Sequence, residues 1–172
     1  AYVHSVFSLL EVHSARFNIT QTVYCADYAK KLSAAADSKN LVIKVHIKLD
    51  TGMCRIGFDC RGDGGDEKEL SELIDTLSLP SLHFEGIFTH FSCSDSVDDG
   101  DISFSDGQYD RFIKTVDRLT SLGHTLKYVH CCNSAASLLR DDEGNLIRPG
   151  IILYGAAPAA GLPLGYTPVP VM

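Results

Sequence analysis

One strand-like segment, residues 41–50, restricts the possible folds of this chain more than any other. Its residues at positions 45, 47 and 49 are apolar, whereas those at 44, 46, 48 and 50 are polar. This alternation is typical of a strand whose two faces meet different surroundings. In a parallel sheet, which helices cover on both faces, the polar face cannot simply meet water. The polar side chains are therefore expected to line the inside of the molecule.

Strand-like and helix-like segments alternate along the rest of the chain. Strands are predicted at Thr20–Cys25, Leu41–Leu49, Phe84–Phe91, Leu126–His130 and Ile147–Tyr154. Helices are predicted at Asp27–Ala36, Asp66–Leu77, Asp106–Leu122 and Ser134–Leu139, and Asp27 is the expected N-cap of the first. Strands separated by helices indicate repeated βαβ units and a parallel sheet.

A parallel sheet of this kind can be an open doubly wound sheet or a (β/α) barrel. No GxGxxG motif follows a predicted strand, which weakens the dinucleotide-binding form of the open sheet. Polar strand ends favour the barrel, because barrel sites form at the carboxyl ends of the strands. Five strands do not close an eight-stranded TIM barrel. We therefore expect a partial barrel over residues 1–155, with three further strands before it, and a proline-rich connector over residues 156–172 toward a further domain.

Composition excludes several classes of partner. The formal net charge of −7 leaves no basic stripe to neutralise phosphates, so nucleic acid is not expected as a partner. No apolar run approaches the roughly 20 residues that span a bilayer, so no membrane segment is expected. The six cysteines form no CxxC pair, and the chain shows no secretory leader, which favours reduced thiols in a cytoplasmic protein.

Charged residues cluster at the end of the second predicted strand. Arg55 offers a planar fork of donors, and Lys48 is a buried, modifiable amine, so the cluster can handle an anion. The alternative is a structural ion network in which Asp50 pairs with Lys48 or Arg55. His90 ends the next strand and could be a base, a metal ligand or a ring stacked on a flat cofactor, or else a satisfied core histidine.

Two further polar clusters follow later strands. Asn133 and Ser134 open a helix, where free N–H groups and the Ser134 hydroxyl can bind a phosphate, although Asn133 can equally be a plain helix cap. Arg148 begins the last predicted strand and can project into the mouth of the sheet, or remain a solvated surface residue. Gly150 would let a ligand approach the backbone closely.

Metal and phosphate-loop motifs are weak. His90, Cys93, His130, Cys131 and Cys132 could supply zinc ligands, but their HxxC spacing has no second pair to complete it. The acidic residues between 95 and 101 fail the spacing of a calcium loop, because Val97 stands where a ligand should be. The glycine-rich segment Arg61–Asp66 lacks the GK[ST] ending of a phosphate loop, so it is interpreted as a βα connection.

Four segments together resemble the barrel domain of alanine racemase, a family of pyridoxal-phosphate enzymes. They are Lys48–Phe58, Thr89–Asp95, Asn133–Ala136 and Arg148–Gly155. They occur in the family's order and with similar spacing, and the resemblance runs through essentially the whole chain. It implies pyridoxal 5'-phosphate as cofactor and alanine, or a close amino acid, as substrate.

The resemblance also implies roles for individual residues. Arg55 would donate to the phenolic oxygen of the cofactor, and Lys48 would be carbamylated and orient Arg55. His90 would lie near the cofactor ring. Arg148 would face the pyridine nitrogen and keep it unprotonated, because arginine does not readily give up a proton. A weaker electron sink would then favour proton return at Cα over side reactions.

The phosphate contacts follow from the same resemblance. Ser134 would be the direct side-chain ligand, with Asn133 beside it, and the backbone N–H groups of Gly150 and Ile151 would be further donors. The parent enzyme would interconvert L- and D-alanine on a pyridoxal-phosphate aldimine by two-base proton transfer. We expect it to be a homodimer.

Two departures from the family pattern stand out. Cys54 occupies a position where the family usually has glycine. The family's Schiff-base lysine lies on an earlier strand and its catalytic tyrosine in a later domain, and neither Lys44 nor Lys48 matches that lysine. No catalytic base is therefore assigned here, and the chain alone is predicted to be inactive.

Three alternatives remain open from the sequence. The first is a non-catalytic barrel that binds pyridoxal phosphate. The second is a zinc or thiol hydrolase that uses His90, Cys93, His130 and Cys131. The third is a degenerate barrel kept for interaction alone.

Overall fold

The computed structural model of the protein describes residues 13–62, 67–140 and 144–159, and for residues 67–69 only the backbone. Residues 13–17 are helical. The strands are β1 (Gln21–Val23), β2 (Ile43–Asp50), β3 (Phe58–Asp59), β4 (Leu82–Phe88) and β5 (Tyr128–His130). The α-helices are α1 (Ala26–Asp37), α2 (Glu67–Leu77), α3 (Asp99–Ser121) and α4 (Ala136–Leu139), followed by a 3-10 helix (Ile151–Tyr154).

The strands form one parallel sheet in the order β1-β2-β4-β5, and β3 pairs with the end of β2. Along this path the strands lie side by side in the same order as in the sequence. A doubly wound sheet requires the strand order to reverse at a switch point, and no reversal occurs among the described strands. The sheet therefore confirms the barrel interpretation and is a partial α/β barrel.

The alternation in β2 sorts its side chains into two environments. Val45, Ile47 and Leu49 have no exposed surface and belong to the hydrophobic core between the sheet and the helices. Lys48 and Asp50, on the opposite face, are also buried, at 3% and 8% exposure. The prediction that the polar face of this strand lies inside the molecule is therefore confirmed for Lys48 and Asp50, whereas Lys44 and His46 are partly exposed.

Helices cover the sheet through regularly spaced small or apolar residues. The buried residues of α1 are Ala26, Ala29, Leu32, Ser33 and Ala36. In α3 the fully buried face includes Phe112 and Leu119, while Tyr109, Ile113 and Val116 pack partly buried against the core. In α2, Leu73 is buried and Leu70, Ile74 and Leu77 pack beside it.

The last predicted strand, Ile147–Tyr154, is wrong. Pro149 has no N–H for a strand ladder, and Gly150 adopts φ −117° and ψ −92°, which turns the chain out of the extended direction. Residues Ile151–Tyr154 then form a 3-10 helix, which ends at Gly155 with φ +74°. The sheet still has five described strands, because β3, which was not predicted, also belongs to it.

The starts of several helices also differ from prediction, and α4 begins at Ala136 rather than Ser134. The N-cap of α1 is Cys25 rather than Asp27, which lies in the first turn, where a carboxylate favours the positive end of the helix dipole. Helix α3 begins at Asp99, seven residues before the predicted Asp106. The reason is Asp98, whose carboxylate accepts hydrogen bonds from the N–H groups of Gly100 and Asp101.

None of the six cysteines, all of which lie in the described ranges, forms a disulfide. Of the helices that the structure describes, none combines the length and apolar character that crossing a bilayer needs.

Candidate active site

The loop after β2 is closed by the Asp50 carboxylate. Its Oδ1 accepts hydrogen bonds from the N–H groups of Gly52, at 3.1 Å, and Cys54, at 3.0 Å. Gly57 adopts φ +135°, and a Cβ there would lie 2.5 Å from the backbone nitrogen of Asp50, so only glycine allows this return. The alternative considered for this cluster, an ion pair of Asp50 with Lys48 or Arg55, is not observed, since neither pair lies within ion-pairing distance in the described structure.

Helix α3 holds the same loop from above. The Nε of Arg111 donates to the carbonyl of Thr51 at 2.9 Å, and the Phe104 ring lies 3.0 Å from where a Cβ of Gly52 would stand. Thr51 is itself bonded to Thr89 across the sheet, through their hydroxyls at 2.8 Å. The loop that carries Arg55 is therefore fixed to both β4 and α3.

Lys48 lies at the floor of the site. Its ammonium donates to the carbonyl of Leu49 at 3.3 Å and lies 5.6 Å from the centre of the Phe88 ring. The pKa of Lys48 is lowered to about 8, chiefly by burial and also by the positive charges of Arg55 and Arg148, against the opposing effect of Asp50.

Arg148 is held in place by a ring of acceptors. Its Nη1 lies 2.6 Å from Nδ1 of His130, while its Nη2 donates to the carbonyls of Thr89, at 2.8 Å, and Cys131, at 3.0 Å. Nη2 also lies 3.3 Å from Nδ1 of His90. No carboxylate of the described residues pairs with Arg148. The guanidinium is thus oriented without being neutralised.

The two histidines that contact Arg148 are neutral near pH 7. Burial lowers the pKa of His90 to about 4, with the charges of Arg148, Arg55 and Lys48 as further causes. Burial, together with Arg148 and His46, lowers the pKa of His130 to about 3. Since arginine only donates, Nδ1 of each ring is the acceptor in these contacts.

Ser134 and Gly150 meet at one edge of the site. The N–H of Gly150 donates to the Ser134 hydroxyl at 2.8 Å. Asn133 lies beside them, and its amide oxygen accepts from the N–H of Ala136 and the hydroxyl of Ser94. The helix-cap interpretation of Asn133 is therefore correct for its side-chain oxygen.

The structure brings most of the predicted site residues to one end of the sheet. His90 and Arg148 are in direct contact. Ser134 is hydrogen-bonded to Gly150, which lies two residues after Arg148 in the chain. Arg55 is exposed, but close enough for its charge to lower the pKa of Lys48 and His90. Ile151 is half exposed at the start of the 3-10 helix. Within the connector predicted at residues 156–172, residues 160–172 lie outside the described part.

Sequence reasoning missed the part that His130 plays. This residue was weighed as a zinc ligand or a core histidine, yet it is the nearest side-chain partner of Arg148. It also stacks on Phe88, with ring centres 4.9 Å apart and planes inclined by 4°. Gln108 was missed as well; its amide bonds the carbonyl of His90 and the N–H of Ser92, which fixes the end of β4.

The zinc alternative finds no ligand set. Among the residues that the structure describes, no three His, Cys, Asp or Glu side chains are grouped to hold a metal ion. Cys93 instead contacts the carbonyl of Asp101 at 3.3 Å and the hydroxyl of Ser105 at 3.6 Å. These contacts tie the loop after β4 to the first turns of α3.

The donor set suits an anionic ligand. Three cations, Lys48, Arg55 and Arg148, lie close enough to one another that all three lower the pKa of His90. The carboxylate that acts on Lys48 is that of Asp50, and it already accepts hydrogen bonds from backbone N–H groups. Converging cations repel one another, so an anion between them would be stabilised. The Ser134 hydroxyl and the Gly150 N–H are further groups that can bind a phosphate oxygen once they turn from each other.

Comparisons with known proteins point to one family. The family model described as "Alanine racemase, N-terminal domain" matches residues 2–158. The alanine racemase of Desulforamulus reducens is 41% identical over 144 residues, which are 83% of this chain and 37% of that protein. That of Clostridium tetani is 38% identical over 156 residues, 89% of this chain and 38% of the relative.

Solved structures give the same result. The alanine racemase of Clostridium difficile 630 superimposes with a TM-score of 0.79 at 33% identity, over 91% of this chain and 38% of that one. The enzyme from Bacillus anthracis, solved with bound L-Ala-P, has a TM-score of 0.79 at 31% identity, over 92% of this chain and 39% of its own. The chain thus spans less than half the length of the relatives it matches.

Proposed function

Because the chain belongs to the alanine racemase family, we propose that it supplies the cofactor-holding part of a barrel in an enzyme that interconverts L- and D-alanine. The family depends on pyridoxal 5'-phosphate. The observation that carries the proposal is the arrangement of Arg148, a buried cation aimed by four acceptors and paired with no described carboxylate.

Arg148 would face the ring nitrogen of the cofactor. Burial lowers the pKa of Arg148 from a value far above neutrality, and a guanidinium remains charged in proteins. Such a group can donate to the ring nitrogen but does not protonate it. The cofactor, when bound, supplies an electron-accepting ring, and Arg148 would limit how strongly that ring accepts. This limit favours return of the proton to Cα over other outcomes.

Lys48 and Arg55 would serve the phenolic side of the cofactor. Arg55 would donate to the phenolate oxygen, and its exposed position at the rim gives it room to reach a ligand. With a pKa of about 8, Lys48 has an appreciable neutral fraction near pH 7, and a neutral amine is the form that carbamylation requires. Carbamylated Lys48 would add an anion that orients Arg55.

The phosphate would lie at the edge formed by Ser134, Gly150 and Ile151. The Ser134 hydroxyl would donate to a phosphate oxygen, together with the two backbone N–H groups at the start of the 3-10 helix. Asn133 would position Ser134 by capping the turn that carries it, since its side-chain oxygen is already bonded to Ala136. His90, which is neutral and touches Arg148, would lie beside the ring.

The proton-transfer groups are expected outside this chain. The proposal places the Schiff-base lysine on an earlier strand and the opposing tyrosine in a later domain of a partner subunit, so the parent would be a homodimer and this chain alone inactive. Cysteines that form no disulfide among the described residues suit a cytoplasmic enzyme.

The complete polypeptide that contains this sequence provides the test. Purified with pyridoxal 5'-phosphate, it should convert L-alanine to D-alanine, measured by chiral chromatography. Replacing Ser134 with alanine should weaken cofactor binding, whereas Ser137→Ala should leave it unchanged, because the Ser137 hydroxyl only donates to the Ser134 carbonyl. Cofactor binding without racemisation would favour the non-catalytic barrel. Binding of stoichiometric zinc instead of the cofactor would overturn the proposal.

A further inference from the structure

Two histidines meet although their strands are not neighbours. His46 lies on β2 and His130 on β5, and β4 runs between them. Their rings nevertheless approach so that Nδ1 of His46 lies 2.9 Å from Nε2 of His130. The ring centres are 5.1 Å apart and the planes are inclined by 55°, which fits a hydrogen bond rather than stacking.

The contact depends on a glycine in the strand between them. Gly86 pairs with His46 on one side and Tyr128 on the other. A Cβ at Gly86 would lie 2.9 Å from Nε2 of His46 and 2.7 Å from the carbonyl of Tyr128, so any side chain would displace the imidazole. The register of β2 with β4 shifts between Val45 and His46, where Glu85 is an extra residue. This bulge places Gly86, and not Glu85, beside His46.

The direction of the hydrogen bonds follows from Arg148. A guanidinium has no acceptor, so Nδ1 of His130 must accept from it. The neutral ring then carries its proton on Nε2 and donates to Nδ1 of His46. His46 must in turn carry its own proton on Nε2. The order Arg148 to His130 to His46 is thus the one arrangement that neutral rings allow.

We propose that His46 is a positioning residue for Arg148, because it accepts the Nε2 proton of His130 and so holds His130 in the tautomer and orientation that receive the guanidinium. The role in catalysis rests on the proposed function, whereas the tautomer does not. His130 is only 3% exposed. Without His46, its Nε2–H would be left without this acceptor. A buried donor in that state costs free energy, and the ring would turn from Arg148 to find another partner.

Two variants separate this role from simple packing. His46→Leu removes the acceptor but keeps a side chain of similar size. His46→Asn keeps an acceptor oxygen near the position of Nδ1. In the complete polypeptide without cofactor, long-range ¹H–¹⁵N spectra should show His130 protonated on Nε2 and not on Nδ1. This pattern should persist in His46→Asn and should change in His46→Leu, together with the Arg148 guanidinium resonances.

The catalytic consequence is a loss in kcat. For one hydrogen bond that orients Arg148, kcat per bound cofactor should fall about tenfold in His46→Leu, with little change in KM for alanine, and should recover to within about threefold in His46→Asn. If the wild type shows the expected tautomer but does not racemise alanine, the proposed function fails and the His46 assignment stands.

Other outcomes would overturn the inference. One is a His130 proton on Nδ1 in the wild type. Another is a His46→Leu protein whose His130 and Arg148 resonances and kcat match the wild type. If His46→Leu does not fold, the wild-type tautomer and His46→Asn decide, since loss of the tautomer in His46→Asn would contradict the role of the acceptor.

Discussion

Among single residues, Lys48 has the most unusual environment. It is 3% exposed, lies over Phe88 and is close to the charges of Arg55 and Arg148. The sequence shows a lysine at a strand end, and from the polar alternation it also predicts that the side chain faces inward. That burial is the largest cause of the lowered pKa, and what the sequence does not show is the further lowering by Arg148, which lies a hundred residues later in the chain.

The lowered pKa of Lys48 predicts a pH dependence of stability. Between pH about 8 and 10.5 the unfolded chain binds a proton at Lys48 that the folded chain has released, so the folded state gains relative stability as pH rises. The free energy of unfolding of the wild type should therefore rise relative to that of Lys48→Met by about 1–3 kcal/mol across this range. Urea titrations at pH 7, 9 and 10 measure it. Parallel curves for the two proteins would contradict the buried-amine account.

Cys54 is a second residue whose conformation has a measurable cost. It adopts φ +55°, and its thiol contacts the carbonyl of Gly52 and the Arg61 guanidinium. Because a left-handed conformation costs a residue with a Cβ about 1–2 kcal/mol, and glycine loses part of this gain through its freer unfolded state, Cys54→Gly should stabilise the fold by about 0.5–1 kcal/mol. The urea midpoint reports this change.

The matched control for this substitution is Cys54→Ala. It removes the thiol contacts but keeps the Cβ, so it should bring no gain in stability. An equal gain in Cys54→Ala would place the cost in the sulfur and not in the backbone.

At the level of elements, the carboxylate of Asp98 determines where α3 begins. The sequence gives an acidic stretch before the helix, and its failure to match a calcium loop left it unassigned. Apolar periodicity starts only near Tyr109, so the pattern predicted a start at Asp106. The first turns instead carry Ser105 and Gln108 on the buried face, where hydrogen bonds replace apolar packing.

Removing this cap should weaken the helix. Asp98→Ala should lower the free energy of unfolding by about 1 kcal/mol, because the N–H groups of Gly100 and Asp101 lose their acceptor. Asp98→Asn retains a side-chain oxygen and should change the free energy by no more than a few tenths of a kcal/mol. If the two variants are equally destabilised, charge rather than the cap hydrogen bond is the cause.

The segment from Ile147 to Tyr154 shows a second limit of pattern reading. Its apolar, β-branched residues are typical of a strand, and sequence reasoning noted that Pro149 suits only a strand start. The backbone at Gly150 turns the chain into a 3-10 helix, and this turn brings its N–H to Ser134. Tertiary contacts, which the local pattern does not contain, decide the outcome here.

At the level of the whole molecule, the sheet order explains why distant motifs converge. The parallel neighbours β2, β4 and β5 end at one edge of the sheet. Lys48, His90 and His130 stand at or just after the ends of these strands, so the topology places them close together. The sequence was sufficient to predict this edge, because each motif follows a strand. It could not predict the bond from Arg148 to His130 or the contact across Gly86, since both depend on side-chain directions and on a one-residue bulge.

We propose that one set of groups, with Arg148 at its centre, holds the cofactor. The most direct measurement is a crystal structure of the complete polypeptide with pyridoxal 5'-phosphate. We expect the ring nitrogen within hydrogen-bond distance of the Arg148 guanidinium, and the phosphate at Ser134 and the N–H groups of Gly150 and Ile151. A cofactor bound elsewhere, or a ring nitrogen that faces a carboxylate, would contradict it.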